Sequence, residues 1–293
     1  MLRPVVFRSA MAAAALACAA TVAAAVPNQR EWNSAKQAET LANGVTLRFV
    51  EAGTADGPPL LLIHGFTDTS RSWSTLAPLL SRYRLIIPDL RGHGGSDKPE
   101  CCYAIGNLAY DLKLLLDSRK IERVHVVGHS LGSIVAQRLA ADHPERVQGL
   151  VLIGSTSLPA VSRGDWLWTN IMALRDPIDP KSPFISEWIS VATPADPDLL
   201  AAVRPETVAT PINVWRSIAP ELAMSSTGRL AGEIKAPTLI LWGDKDSAFG
   251  PGAQEELRRV LPQARFTAFA GQGHNLHWER PDAVAAAITA FLR

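Results

Sequence analysis

Cysteine is scarce in this sequence, with three residues among 293. Cys18 lies near the N-terminus, whereas Cys101 and Cys102 are adjacent to each other. So few cysteines exclude a disulfide-rich scaffold, and no further ligands at metal-binding spacing accompany the adjacent pair. In an oxidising compartment this pair forms either a strained vicinal disulfide or two free thiols, and the sequence leaves both alternatives open.

An excess of charge of either sign is also missing. The chain carries 29 lysines and arginines against 28 aspartates and glutamates, a formal net charge of +1. This balance gives no reason to expect nucleic acid or an anionic membrane surface as a partner. The body of the sequence has no run of roughly 20 apolar residues, so it predicts no stable membrane span. The composition does not indicate an oligomeric state.

The N-terminal residues have the features of a secretory signal peptide. Arg3 and Arg8 form a basic start without acids, an alanine-rich apolar run follows, and Ala23–Ala25 fits a small-residue cleavage site. We therefore predict removal of residues 1–25 and a periplasmic or secreted mature protein. The alternative is a lipoprotein anchored at Cys18, which is disfavoured because the apolar and small residues after this cysteine make a poor tether.

Short apolar strands alternate with helices over most of the chain. Continuous apolar runs bounded by turn residues are typical of strands that are buried on both faces. The pattern predicts strands over residues 45–51, 59–63, 84–88, 124–127, 149–153, 237–242 and 266–269, and helices over 73–80, 105–116, 131–140, 252–260 and 281–292. Such alternation indicates an α/β fold with a mostly parallel central sheet and helices on both faces.

The alternation breaks between residues 157 and 233. This stretch is rich in prolines and aspartates and holds four of the eight tryptophans, which predicts several short helices and no clear strand. We therefore divide the mature chain into a core of residues 26–156 and 234–293 and a helical cap of residues 157–233. An insertion at this point is expected to cover the carboxyl ends of the strands, where open parallel sheets bind ligands.

A single serine between two glycines marks the point where a strand becomes a helix. The segment Gly128-His129-Ser130-Leu131-Gly132 follows an apolar run and precedes apolar residues at helical spacing. A direct strand-to-helix turn forces its central residue into a strained conformation, and small neighbours let the chain pass. The side chain then projects from the sheet at the positive end of the helix. This context predicts Ser130 as a nucleophile rather than as a structural serine.

A serine nucleophile needs a base, and the chain offers seven histidines. His274 lies in a glycine-rich loop after the last strand, which is suited to bring an imidazole over the top of the sheet. His277 is its nearest rival, but it falls in the approach to the closing helix. The others are interpreted as backbone braces, a strand residue and a helix end: His64, His93, His129, His125 and His143. We therefore predict His274 as the base.

The acid that orients this base is expected between the nucleophile and the histidine in chain order. Asp244 and Asp246 both follow the preceding strand and fit this order. The segment after the earlier strand, residues 155–157, offers no carboxylate. A turn-forming role suits Asp244, and we favour Asp246 as the acid.

Taken together, these segments resemble the α/β-hydrolase superfamily, in its capped esterase-like branch, over about residues 41–293. The resemblance rests on H-G-F at 64–66, D-L-R-G-H-G-G-S at 89–96, G-H-S-L-G at 128–132, G-D-K-D at 243–246 and G-H at 273–274. It implies a triad of Ser130, Asp246 and His274, with the backbone N–H groups of Phe66 and Leu131 as the oxyanion hole. It implies no cofactor and no metal.

The identity of the nucleophile narrows the expected chemistry. Family members that open epoxides or displace halide carry aspartate where this chain has Ser130, which speaks against both reactions. Serine favours attack on a small-molecule carboxylic ester or lactone, followed by hydrolysis of an acyl-enzyme. Two alternatives stay open: a carbon–carbon bond hydrolase or cofactor-free perhydrolase with the same triad, and a ligand-binding or signalling protein with low turnover.

The composition of the predicted cap indicates the kind of substrate. Its lysines and arginines are dispersed, whereas tryptophans and aliphatic residues recur on short amphipathic segments. Because ligand pockets are mostly apolar with a few polar groups, we expect an uncharged, medium-sized, largely apolar substrate. Asp68, Ser72 and Trp73 follow the predicted oxyanion loop and are interpreted as the start of the next helix rather than as substrate contacts.

Overall fold

The computed structural model describes residues 25–292. Within this range, a central sheet is built from eight strands: β1 (Gln37–Thr40), β2 (Thr46–Gly53), β3 (Pro59–Ile63), β4 (Arg84–Pro88), β5 (Val124–His129), β6 (Val147–Ile153), β7 (Thr238–Gly243) and β8 (Arg265–Phe269). Their order across the sheet is β1-β2-β4-β3-β5-β6-β7-β8. Only β2 runs antiparallel to its neighbours β1 and β4, and all other pairs are parallel. The predicted α/β architecture with a mostly parallel sheet is confirmed.

Helices cover both faces of this sheet. The α-helices are α1 (Ile105–Ser118), α2 (Leu131–Asp142), α3 (Trp166–Ala173), α4 (Pro183–Trp188), α5 (Pro197–Val208), α6 (Ile212–Met224), α7 (Pro251–Val260), α8 (Leu276–Glu279) and α9 (Pro281–Phe291), and 3₁₀ helices span Ser70–Trp73, Ala77–Leu80 and Thr227–Glu233. None of the helices between residues 25 and 292 combines the length and the apolar content needed to cross a membrane.

Side-chain alternation along β3 divides the core between the two faces. Leu61 and Ile63 point to the face covered by α1 and α2, whereas Leu60 and Leu62 point to the face covered by Trp73 and α9. All four leucine and isoleucine side chains are fully buried. Burial of such a side chain contributes roughly 1.5–3 kcal/mol, which explains why the inner strands are apolar throughout.

The local structure differs from the prediction at two places. The single helix predicted over residues 73–80 is replaced by two 3₁₀ helices, Ser70–Trp73 and Ala77–Leu80. Pro78 lies inside the predicted helix and has no N–H to donate to the preceding turn, which favours a short helix that begins beside it. The edge strand β1 has no counterpart in the prediction.

The segment between β6 and β7 consists of α3, α4, α5, α6 and the third 3₁₀ helix. Three of these helices begin after a capping side chain: Asp165 accepts from the Trp168 N–H, Ser182 from that of Ile185 and Asp196 from those of Asp198 and Leu199. Such caps satisfy N–H groups that the first helical turn leaves unpaired. A hydrogen-bonded ion pair of 2.7 Å between Arg71 and Glu206 ties α5 to the core.

The predicted signal peptide of residues 1–25 lies, apart from its last residue, outside the described residues, and so does Cys18. Cys101 and Cys102 are both exposed and not bonded to each other.

Candidate active site

Ser130 is the single residue between the end of β5 and the start of α2. Its backbone angles are φ 52° and ψ −123°, a region that side-chain-bearing residues rarely adopt. The Ser130 N–H donates to the Ile153 carbonyl at 3.0 Å, and the Ser130 carbonyl accepts from the Ser133 N–H at 2.8 Å. The neighbouring strand and the first turn of α2 therefore hold the strained backbone, with Ser130 at the positive end of the helix.

The two glycines around Ser130 allow backbone segments to approach each other. A Cβ atom on Gly128 would overlap the carbonyl oxygen of Gly132, and a Cβ atom on Gly132 would overlap the carbonyl oxygens of Ile63 and His64. Any larger residue at either position would push α2 away from β3 and β5. Both positions therefore require glycine because a side chain would overlap neighbouring backbone atoms, in agreement with the interpretation of the sequence.

His274 and Asp246 are hydrogen-bonded to each other at the carboxyl ends of the sheet. The Nδ1 atom of His274 lies 3.0 Å from both carboxylate oxygens of Asp246. The Asp246 side chain is fully buried, and its Oδ1 also accepts from the N–H groups of Ala248 and Phe249, each at 2.9 Å. Because Nδ1 is occupied in this way, Nε2 is the ring nitrogen left to exchange a proton.

The electrostatics of this pair favour a charged state. Burial disfavours the imidazolium of His274, but the charge and hydrogen bonds of Asp246, together with the charges of Asp68 and Glu279, raise the pKa of His274 above its usual value. Burial likewise opposes ionisation of Asp246, yet the attraction of His274 and the backbone donors hold its pKa below its usual value. The pair therefore stabilises the positive charge that a base acquires when it accepts a proton.

One cavity of about 340 Å³ is lined by four of the five predicted site residues, all except Asp246. Ser130, Leu131, His274 and Phe66 line it. The segment between β6 and β7 supplies much of the opposite wall: Ala160, Val161, Trp166, Leu167, Trp188, Ile189 and Leu222. A wider depression of about 490 Å³ around Asp117 and Arg146 is shallow, charged and free of predicted site residues. The enclosed cavity is therefore the candidate site.

The backbone N–H groups of Phe66 and Leu131 are positioned by buried neighbours. Leu131 is the first residue of α2, where N–H groups have no partner within the helix. Neither N–H group makes a hydrogen bond within residues 25–292. The preceding His64 braces the Phe66 loop, since its Nε2 accepts from the Leu90 N–H at 2.9 Å. Burial lowers the pKa of His64 to about 4, so this brace is a neutral imidazole.

The rival histidine, His277, lies behind the cavity rather than in its wall. Its Nε2 atom is 2.9 Å from Ser72 Oγ, and its ring packs against Trp73 at a centroid distance of 4.6 Å. Burial and repulsion by His274 lower the pKa of His277 to about 3. A histidine that stays neutral and has no access to the cavity is a structural residue.

The rival aspartate, Asp244, has a turn-forming role. Its side chain is exposed, and its Oδ1 accepts from the Gly271 N–H at 2.7 Å. This bond joins the loop after β7 to the loop after β8. Only Asp246 of the two aspartates contacts His274.

Asp68 lies in the wall of the cavity, whereas the sequence favours a helix start over a substrate contact for this residue. Its carboxylate accepts from Ser72 Oγ at 3.2 Å and lies 3.9 Å from Nδ1 of His129. Burial raises the pKa of Asp68 to about 7. Its proximity to the H-G-F segment is the one sequence signal that points to it.

A family model described as alpha/beta hydrolase fold matches residues 58–281, which is well over half of the chain. The chain therefore belongs to the α/β-hydrolase fold family, as its sequence resemblance indicated. The match includes every residue of the candidate triad and oxyanion hole.

Individual relatives match a larger share of the chain. The chain is 29% identical over 262 residues to Lipase 1 of Psychrobacter immobilis, covering 86% of this chain and 82% of that one. The structure of a hydrolase from Pseudomonas aeruginosa has a TM-score of 0.77 at 26% identity, with 88% of this chain and 98% of that one covered. A thermophilic esterase from Thermogutta terrifontis has a TM-score of 0.74 at 26% identity, with the same coverages of 88% and 98%. The family and these relatives support a hydrolase.

Proposed function

We propose that this chain is a serine hydrolase that cleaves a small to medium, largely apolar carboxylic ester or lactone through an acyl-enzyme. The observation that carries the proposal is the placement of Ser130 at a strained strand-to-helix turn, in the same cavity as a histidine held by a buried aspartate. The similarity to proteins named lipase and esterase supports ester substrates.

The proposed reaction has two halves that use the same groups. Ser130 Oγ attacks the substrate carbonyl and gives its proton to Nε2 of His274, while Asp246 stabilises the imidazolium. The Phe66 and Leu131 N–H groups bind the oxyanion, an interaction worth about 3–4 kcal/mol per donor in other enzymes. The imidazolium then protonates the leaving alcohol. Water, deprotonated by His274, releases the acid and restores Ser130.

The residues around the cavity support a substrate without negative charge. Its lining residues include no lysine or arginine within residues 25–292, whereas Asp68, Asp165 and Glu187 contribute carboxyl groups. Aromatic and aliphatic side chains of the proposed cap, residues 157–233, supply apolar surface opposite Ser130. A cavity of about 340 Å³ is at the small end of ligand pockets. We infer that the cap limits acyl length and disfavours polymers and long triglycerides.

A series of p-nitrophenyl esters from acetyl to palmitoyl tests this substrate class. Each buried methylene contributes roughly 0.8 kcal/mol, so kcat/KM is expected to rise about fourfold per methylene and to fall once the cavity is full. An acyl chain of equal length that ends in a carboxylate serves as the matched comparison and is expected to be poorer. A flat length profile, or a preference for the charged chain, would contradict the proposal.

Replacing either aspartate by asparagine separates the two candidates for the acid. Asp246→Asn keeps the shape but removes the charge that holds the His274 tautomer, so we expect a loss on the order of 10⁴-fold in kcat. Asp244→Asn keeps an oxygen to accept from the Gly271 N–H and is expected to stay within about twofold of the parent. Steady-state kinetics on one ester decides between them, and a larger loss in Asp244→Asn would overturn the assignment.

We also propose that the mature protein is periplasmic or secreted after removal of residues 1–25. The support is the basic start, the apolar run and the small residues at Ala23–Ala25. Intact-mass measurement of exported protein is expected to give a chain that begins near Val26. A lipid-modified N-terminal Cys18 would favour the lipoprotein alternative, and an exported chain that retains Met1 would contradict cleavage.

A further inference from the structure

A buried carboxylate that the proposed reaction does not use lies behind the loop that carries His274. Glu279 is the last residue of α8 and is 6% exposed. Among the residues between 25 and 292, no lysine or arginine forms an ion pair with it. Burying a carboxylate costs free energy unless hydrogen bonds replace those it made to water. The groups that donate to Glu279 therefore show which segments it connects.

These donors come from two separate parts of the chain. Glu279 Oε2 accepts from the Gly273 N–H at 2.8 Å, the residue directly before His274. Glu279 Oε1 accepts from the Ala192 N–H at 3.1 Å, and the Thr193 hydroxyl lies 3.1 Å from Oε2. Ala192 and Thr193 belong to the link between α4 and α5, within the proposed cap. One carboxylate thus bridges the His274 loop and the cap.

Further contacts join the same two segments on both sides of His274. The Thr193 hydroxyl is also 2.9 Å from Gln272 Oε1, and Asn275 Nδ2 donates to the Ser190 carbonyl at 3.2 Å. The backbones are so close that a Cβ atom on Gly273 would lie 2.9 Å from the Cβ of Ala192. Residues 272–275 and 190–193 are therefore packed together, and Glu279 is a carboxylate that hydrogen-bonds to both segments.

Ser190 and Asn275 also line the cavity beside Ser130. A shift of the cap at Ser190–Thr193 is therefore transmitted to the loop that places the imidazole. Displacement of a reacting group by about 1 Å costs on the order of 100-fold in rate. The bridging carboxylate is well placed to prevent such a displacement, because hydrogen bonds to a charged acceptor are stronger than those to a neutral one.

We propose that Glu279 is a positioning residue that fixes His274 and the cap segment Ser190–Thr193 against each other. This inference rests on the proposed function, since it concerns the base of the same reaction. Glu279 itself does not touch the substrate, because it is absent from the cavity wall. Its contribution is to keep the imidazole of His274 in place relative to Ser130.

The variant Glu279→Gln tests the role of the carboxylate with little change in shape. Its amide nitrogen must face an N–H or hydroxyl donor, so one side of the bridge is lost. We expect kcat per active site to fall about 10- to 100-fold while KM changes less than about threefold. Active sites are counted by titration with a p-nitrophenyl phosphonate. The exposed Glu255→Gln is the matched control and is expected to keep the parent kcat.

The variant Thr193→Val tests the cap side of the bridge without touching Glu279. We expect a loss of about three- to tenfold in kcat. In the double variant the two losses are expected to combine to less than their product, because both changes break one network. Thr169→Val, an exposed threonine of α3, is the matched control with unchanged kcat. If Glu279→Gln does not fold, the kcat of Thr193→Val decides alone.

Two results would overturn the inference. One is a Glu279→Gln protein, or a Thr193→Val protein when the first does not fold, whose kcat per titrated site stays within about twofold of the parent. The other is a double variant whose losses multiply independently. Failure of the proposed function has a different signature, namely a parent protein that does not react with the phosphonate.

Discussion

Ser130→Ala is expected to lower kcat/KM for a p-nitrophenyl ester on the order of 10⁴-fold or more, because members of a triad act as a unit. The fold is expected to persist. The Ser130 side chain makes no hydrogen bond within the described part of the chain, and alanine adds no atom to the tight turn between Gly128 and Gly132. Steady-state kinetics together with a thermal melt measure both effects.

A remote serine provides the control for this variant. Ser118 lies at the end of α1 and donates only to the Leu115 carbonyl within the described residues, so Ser118→Ala is expected to keep full activity. A Ser130→Ala protein that retains most of its activity would remove this residue from the mechanism. A protein that loses activity and melting temperature together would instead point to damage of the turn.

His274→Ala is expected to cost nearly as much as Ser130→Ala, on the order of 10⁴-fold in kcat/KM. The reason is that no other imidazole in the described structure both lines the cavity and pairs with a fully buried carboxylate. In the proposed reaction, Ser130 would then have no acceptor for its proton and the leaving group would have no donor. The same ester assay and thermal melt apply.

His277→Ala is the informative comparison for the base. His277 is fully buried between Ser72 and Trp73, so its removal is expected to lower the melting temperature more than the turnover of the folded protein. If His277→Ala abolished turnover of well-folded protein while His274→Ala did not, the assignment of the base would be wrong.

The core strands were predictable because strands buried on both faces consist almost entirely of apolar residues. The strands Pro59–Ile63 and Arg84–Pro88 match their predicted bounds, since buried apolar runs between turn residues have sharp ends. The strand Gln37–Thr40 was missed because it lies at the sheet edge with mostly exposed, polar residues. It is specified by its register with β2 rather than by its own sequence.

The sequence predicted Ser130 because the backbone turn that carries this residue requires glycines on both sides of it. The two glycines around Ser130 are required because α2 lies very close to neighbouring backbone. Any tight strand-to-helix turn needs small residues at these positions. The choice between Asp244 and Asp246 had weaker local support, because both follow the same strand. Only their tertiary contacts distinguish the two aspartates: Asp244 accepts from the Gly271 N–H in a surface turn, and Asp246 contacts His274.

Two carboxyl groups at the site had no clear sequence signal. Glu279 contacts Ala192, which is 87 residues away in the chain, and this partner is visible only in the folded molecule. Asp68 lies in a turn where an aspartate is common, and its raised pKa comes from burial. Long-range burial of polar groups therefore defines the part of the site that composition and periodicity do not reveal.

Direct observation of the acyl-enzyme is the measurement closest to the central claim. The protein is mixed with a p-nitrophenyl ester of the best acyl length, quenched in acid during turnover, digested and analysed by mass spectrometry. The account predicts a mass increase of one acyl group on the peptide that contains Ser130, and its absence in Ser130→Ala. An adduct on a different residue, or rapid turnover with no adduct and no burst of nitrophenol, would contradict it.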